Sequence, residues 1–183
     1  MSFAGCFPVG LPVNWKEASE VKITDAYLKN WLLDTGSLTE RVQSLCHQFS
    51  LTLLGQQTLV PEQSELALLN AAPQTPFQVR EVLLCADGVP WVFARSIIPQ
   101  TLIDSELANL GGQPLGKRLF NDARFARSAF QLTTLSAPAL GYTQSRQLWG
   151  RRSMFTLEQN KMIVAEVFLP HAPVYDTRYQ DEI

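Results

Sequence analysis

The chain has 183 residues, 46% of them hydrophobic and 17% charged, with a formal net charge of −2. That balance belongs to a folded chain, long enough for one domain with a substantial core, and excludes a disordered segment or a basic nucleic-acid binder. No apolar run approaches the roughly 18 residues of a membrane helix, and the first basic residue is Lys16, so a signal peptide's charged n-region is missing.

Cys6, Cys46 and Cys85 share no CxxC spacing, which fits reduced thiols in a cytoplasm. With only His47 and His171 available, and with the adjacent Cys46-His47 read as incidental, no metal site is expected.

In chain order, "TDAYLKNWLLD" (24–34) opens on Thr24 as an N-cap and sets Tyr27, Leu28, Trp31 and Leu32 on one helical stripe. After Gly36, "SLTERVQSLC" starts a second helix with a capping box from Ser37 to Glu40. The pair looks like a helix-turn-helix, but the near-neutral charge argues against reading DNA with it. "FSLTLLGQQTLV" (49–60) reads as a strand with Gly55 at a bulge. Residues 61–76 read as a loop with at most a helical turn. A hairpin follows over 77–98, then a short helix from Asp104 to a stop at Gly111-Gly112, then a helical turn over 114–120. "RQLWGRRSMFTLE" and "KMIVAEVFLP" form a last hairpin around Gln159-Asn160. Helices first, then mainly antiparallel strands with a helical insertion, make the fold α+β, a single domain over residues 1–183.

The hairpin "FQVREVLLCADGVPWVFARSIIP" poses a physical problem. Asp87-Gly88 is a strong two-residue turn signal. An unbroken ladder from that turn sets Arg80 opposite Arg95, in arms apolar on both faces. At roughly 5 Å and an effective dielectric of about 20, their repulsion reaches about 3 kcal/mol. Glu81 would point to the other face and give no relief. Either the two guanidiniums hold an anion between them, or both extend to solvent.

Glu166 raises the same problem with opposite sign, in "MIVAEVFLP". A Gln159-Asn160 loop faces it with Ser153 and leaves Arg151 diagonal. It is then either an ion-pair partner of Arg151 or a carboxylate in an apolar cavity, suited to hydrogen bonding or proton transfer. There is no GxSxG elbow, phosphate-cradling glycine loop, HExxH or GxGxxG. Two arginines, a glutamate and apolar lining suit a small cyclic acid, with chemistry obtained by positioning and electrostatics.

"REVLLCADGVPWVFARSIIP", "PLGKRLF", "LWGRRSMF" and "AEVFLPHAPVY", in this order and spacing, resemble the chorismate pyruvate-lyase family over roughly residues 25–175. The resemblance implies an antiparallel sheet with helical flaps closing over a buried ligand cavity. It implies a cofactor-free, monomeric, cytoplasmic lyase that removes pyruvate from chorismate, leaves 4-hydroxybenzoate, is inhibited by that product and opens ubiquinone biosynthesis. By position, the family's ligand-binding arginine falls on Arg80, its buried glutamate on Glu166, a second active-site arginine on Arg95, and its flap contacts on Leu38 and Leu115. Leu38 replaces a methionine and Ala94 a glycine of the best-known relative, the latter narrowing the cavity. The tail from Asp176 to Ile183 extends past the family's usual end and has no assigned role. The alternative is a non-catalytic binder of small aromatic acids, related to the effector-binding domains of bacterial transcription regulators. Against it, a sheet expected to begin near Phe49 leaves no room for their winged helix.

Overall fold

Val, Leu, Trp, Phe and Ile crowd residues 77–98 and 147–168, and these segments form the centre of one antiparallel sheet. The structure is a computed structural model describing residues 3–108 and 112–176. Its strands are β1 (Lys16–Glu17), β2 (Phe49–Leu59), β3 (Phe77–Ala86), β4 (Val89–Ile98), β5 (Ala126–Arg127), β6 (Gln131–Ser136), β7 (Gln147–Leu157) and β8 (Asn160–Phe168). The helices are α1 (Ala26–Leu33), α2 (Leu38–Ser44), α3 (Gln63–Leu68), α4 (Gln100–Leu102, continued by a π turn over Ile103–Leu107) and α5 (Leu115–Phe120). The sheet runs β1-β6-β7-β8-β4-β3-β2, with β5 pairing β7. This is the expected α+β arrangement.

Local chemistry explains the helix ends. The Asp25 carboxylate accepts from Tyr27 N and Leu28 N at 2.9 and 3.0 Å, so it, not Thr24, caps α1. Ser37 Oγ caps α2 by accepting from Glu40 N at 3.3 Å. Glu62 and Glu65 form a capping box that starts α3 inside the stretch read as a loop. The helix expected from Asp104 begins at Gln100; Asn109, Leu110 and the expected stop at Gly111 lie outside the described residues, as does the tail from residue 177. Gly55 does sit at a bulge, between Leu53 and Gly55 in the β2–β3 ladder. A Cβ there would collide with the ring of Phe7.

The β3–β4 turn is Asp87-Gly88 as expected, with φ of 50° and 78°. The ladder above it is not unbroken. Ala86 pairs with Val89 and Cys85 with Pro90, but Leu84 pairs with Val92, leaving Trp91 as the extra residue of a bulge. The Trp91 carbonyl is satisfied by Leu169 N at 2.8 Å. Beyond the bulge every pairing shifts by one: Arg95 faces Glu81, and Arg80 faces Ser96. The expected Arg80–Arg95 pair does not exist, because a one-residue slip moves a side chain to the other face of a sheet. The β7–β8 turn is likewise Glu158-Gln159, not Gln159-Asn160, and brings Arg151 directly opposite Glu166.

Each face of the sheet carries two apolar clusters separated by charge. α1, α2, α4 and α5 cover one face, over Val82, Ala94, Phe168 and Leu132 on one side and Ile98, Met162 and Val164 on the other. The N-terminal segment and α3 cover the opposite face, over Phe93, Val167 and Leu148, and over Val79, Ile97 and Ile163. Between the latter two lies Arg95, donating from Nε and Nη2 to Glu65 at 2.7 and 3.0 Å, and from Nη1 to Glu81 at 2.8 Å. Burial opposes the Arg95 charge, but the Glu65 and Glu81 carboxylates outweigh it and hold its pKa above the ordinary arginine value. Glu81 also accepts Val9 N and Gly10 N at 2.7 and 2.9 Å, which ties the N-terminal segment to the sheet.

Arg95→Ala should therefore leave two carboxylates buried together without their cation. Chemical denaturation should show a loss of about 3–5 kcal/mol. A stability within about 0.5 kcal/mol of the parent chain would mean the triad is not holding this face.

Candidate active site

On the helix-covered face, ladder register sets Gln56, Arg80, Ser96, Val164 and Ser153 in one cross-strand row, and Val82, Ala94, Glu166 and Arg151 in the next. The second row holds the charge pair. Arg151 Nε donates to Glu166 Oε2 at 2.7 Å, and Nη1 donates to the carbonyls of Trp31, Leu32 and Asp34 at 3.1, 3.4 and 2.8 Å. Those carbonyls are at the C-terminal end of α1, where helical partners run out and positive charge is favourable. The guanidinium also lies over Phe130, 4.7 Å from the ring centroid.

Glu166 combines the two roles that the sequence left as alternatives. Its Oε2 is held by Arg151, while Oε1 has no hydrogen bond among the described residues. The residue also lines a cavity of about 320 Å³. Gly36, Ser37 and Leu38 at the start of α2 wall it on one side, and Gly116 and Leu119 of α5 on another. Phe125, Phe130 and Phe155 supply aromatic lining, and Arg127 a second cation beside Arg151. The volume is at the lower end of the range for small-molecule sites.

The five residues singled out in the sequence are not all gathered here. Leu38 and Glu166 line the cavity. Leu115 does not; it packs with Leu119 and Val164 and seats α5 against the sheet. Arg80 is on the same face, one row along and two strands over, and is buried at 2% exposure. Its Nη1 donates to Gln56 Oε1 at 3.0 Å and its Nη2 to the Gln113 carbonyl at 3.1 Å, just before α5. Burial lowers its pKa. Arg95 is on the opposite face, committed to Glu65 and Glu81, so its assignment to this site is corrected. Ala94 is Glu166's ladder partner but does not line the cavity. Sequence reasoning missed Arg127, which lies on a two-residue strand too short to show a pattern.

A partly open cavity between a sheet and two short helices, lined by aromatic rings with a carboxylate and cations on one wall, defines a small-molecule-binding domain. The chain belongs to the chorismate lyase family, whose model matches residues 11–180. It is 43% identical over 178 residues to the "Probable chorismate pyruvate-lyase" of Pseudoalteromonas atlantica, covering 92% of each chain. To the protein of the same name from Shewanella amazonensis it is 39% identical over 182 residues, covering 92% of this chain and 94% of that one. Among solved structures, a gene product of Staphylococcus aureus aligns with TM-score 0.54 at 12% identity, over 76% of this chain and 92% of that one. The C-terminal domain of the histidine utilization repressor of Pseudomonas syringae aligns with TM-score 0.53 at 4% identity, over 67% and 92%. At such identities these structures share the fold alone.

Arg151 serves Glu166, α1 and the aromatic wall together, so Arg151→Ala should cost about 3–5 kcal/mol in denaturant unfolding. Glu166→Gln keeps an acceptor oxygen for Arg151 Nε and should cost less. An equal or larger loss for Glu166→Gln would show that the carbonyl contacts of Arg151 contribute little.

Proposed function

We propose that this chain is a chorismate lyase, eliminating pyruvate from chorismate to leave 4-hydroxybenzoate. The observation that carries the reading is Glu166, clamped through one oxygen by Arg151 with its other oxygen free of hydrogen bonds among the described residues, in a cavity with aromatic lining, in a chain of this family. We place the activity in the cytoplasm, in a monomer, at the first committed step of ubiquinone biosynthesis.

The reaction breaks the ether bond between the ring and the enolpyruvyl group. A proton leaves the neighbouring carbon, which keeps its hydroxyl, and the electron pair of that C–H bond completes the aromatic ring. The departing enolate takes up a proton on its methylene carbon and becomes pyruvate. Aromatisation supplies the driving force, so the protein's task is to position and to exclude water. Glu166 accepts the ring hydroxyl. Arg80 is assigned to the ring carboxylate as the buried arginine on the same face, one row along from Glu166, whose partners are neutral. That contact draws on donors beyond the two Arg80 gives to Gln56 and the Gln113 carbonyl, and it requires the α5 segment to yield. Leu38 and Leu115 act as flap residues, the first from the cavity wall and the second by holding α5 down.

Purified protein mixed with chorismate should release 4-hydroxybenzoate, followed by its ultraviolet absorbance, with the rate unchanged in excess EDTA. Binding of chorismate without conversion would favour a non-catalytic acid-binding domain. Arg80→Ala should reduce turnover and 4-hydroxybenzoate affinity together, each by about 30-fold or more. The product keeps ring, carboxylate and hydroxyl, so 4-hydroxybenzoate should inhibit competitively. A burst should precede a slower steady state when flap opening limits release; a linear progress curve at high enzyme concentration would exclude that order of events.

A further inference from the structure

Chorismate carries two carboxylates, and with Arg95 on the far face of the sheet the enolpyruvyl carboxylate has no partner in the set read from the sequence. Resting on the lyase reading above, we propose that Arg127 is that partner, the substrate-contacting residue that recognises the carboxylate which departs with pyruvate.

The substrate's own connectivity fixes where the partner must be. The ether-bearing and hydroxyl-bearing ring carbons are neighbours, so the group that holds the second carboxylate must lie close to the group that holds the hydroxyl. Two arginines line the cavity alongside Glu166, Arg127 and Arg151. Arg151 is already matched, its charge paired with Glu166 through Nε and its Nη1 shared among three carbonyls of the α1 end, leaving only Nη2 over among the described residues.

Arg127 is held but not spent. Its Nε donates to Ser153 Oγ at 2.9 Å, which fixes the plane of the guanidinium. Nη1 makes one long bond, 3.4 Å, to the Thr35 carbonyl, and Nη2 has no hydrogen bond among the described residues. Its faces are covered by aromatic rings, with Phe130 at 4.3 Å and Phe155 at 5.1 Å from their centroids. The terminal nitrogens are therefore the edge left for a ligand, and a carboxylate matches that edge by paired hydrogen bonds. Burial pulls the pKa of Arg127 down, the Glu166 charge pushes it back up, and no carboxylate makes an ion pair with it among the described residues. A dianionic substrate completes the charge count; 4-hydroxybenzoate, with one carboxylate already on Arg80, does not reach it.

The distinguishing measurement is a ratio, chorismate against 4-hydroxybenzoate, for Arg127→Gln and Arg127→Lys. The glutamine variant should lose about 100-fold in kcat/KM for chorismate while 4-hydroxybenzoate affinity stays within about threefold. The lysine variant should recover part of that loss, since charge returns without the paired donors. Equal losses for substrate and product, or less than about a fivefold loss for chorismate in the glutamine variant, would overturn the assignment. Should the native chain bind chorismate without converting it, the lyase reading fails but the same ratio, read from calorimetric affinities, still decides on Arg127. A native chain that binds neither compound sinks both.

Discussion

Two buried guanidiniums side by side would repel strongly in a dry interior, and the bulge at Trp91 keeps Arg80 and Arg95 from that position. By adding one residue to β4 it sends Arg95 to the face where Glu65 and Glu81 wait, and leaves Arg80 facing Ser96. One face receives a cation enclosed by two carboxylates, a set in which the guanidinium is fully matched and negative charge is left over. The other keeps an arginine whose partners are neutral, the Gln56 amide and the Gln113 carbonyl. A cation matched by carboxylates holds a fold together; an arginine among neutral acceptors still has charge to offer an anion.

The helix-covered face repeats that contrast at shorter range. Arg151 and Glu166 neutralise each other, and the pair is anchored to the last carbonyls of α1 and to an aromatic wall. Arg127, lining the same cavity, is positioned by a serine hydroxyl and aromatic faces, none of which cancels its charge. Rigid support without neutralisation is the property a preorganised electrostatic site requires. It is tolerable here because the guanidinium remains half-buried and borrows the field of Glu166.

The fold was legible in the sequence because the signals for sheet and turn are local. Asp87-Gly88, Ser37 with Glu40, and Gly55 each did what their chemistry dictates. What failed was register, which turns on one residue. Pro90 was the available sign, since proline inside a strand is confined to edges and bulges, and an unbroken ladder through it was too simple. The β7–β8 loop slipped for a related reason, because Glu158 adopts φ of 54°, where asparagine is the more usual occupant. Glu166 was found because a lone charge stands out in an apolar strand, whereas Leu38 came only from the resemblance to the family. Arg127 could not be found so: "FARSAF" has no period, and its place in the cavity comes from two residues of pairing with β7.

The stitching of the N-terminal segment has a consequence for how the chain is made. Val9 and Gly10 bond to Glu81, Leu11 bonds to Glu62, and Phe3 stacks on Phe93 at 5.6 Å and meets Tyr142 edge-on at 6.3 Å. Synthesis proceeds from the N-terminus, so this segment meets its last partner only after residue 142 has followed. Residues 3–11 gather partners in turn, first Glu62 and Glu81, then Phe93, and last Tyr142. A nascent chain halted before β6 would hold the first three and lack the fourth, so this segment could seat on one half of the sheet before the other half exists.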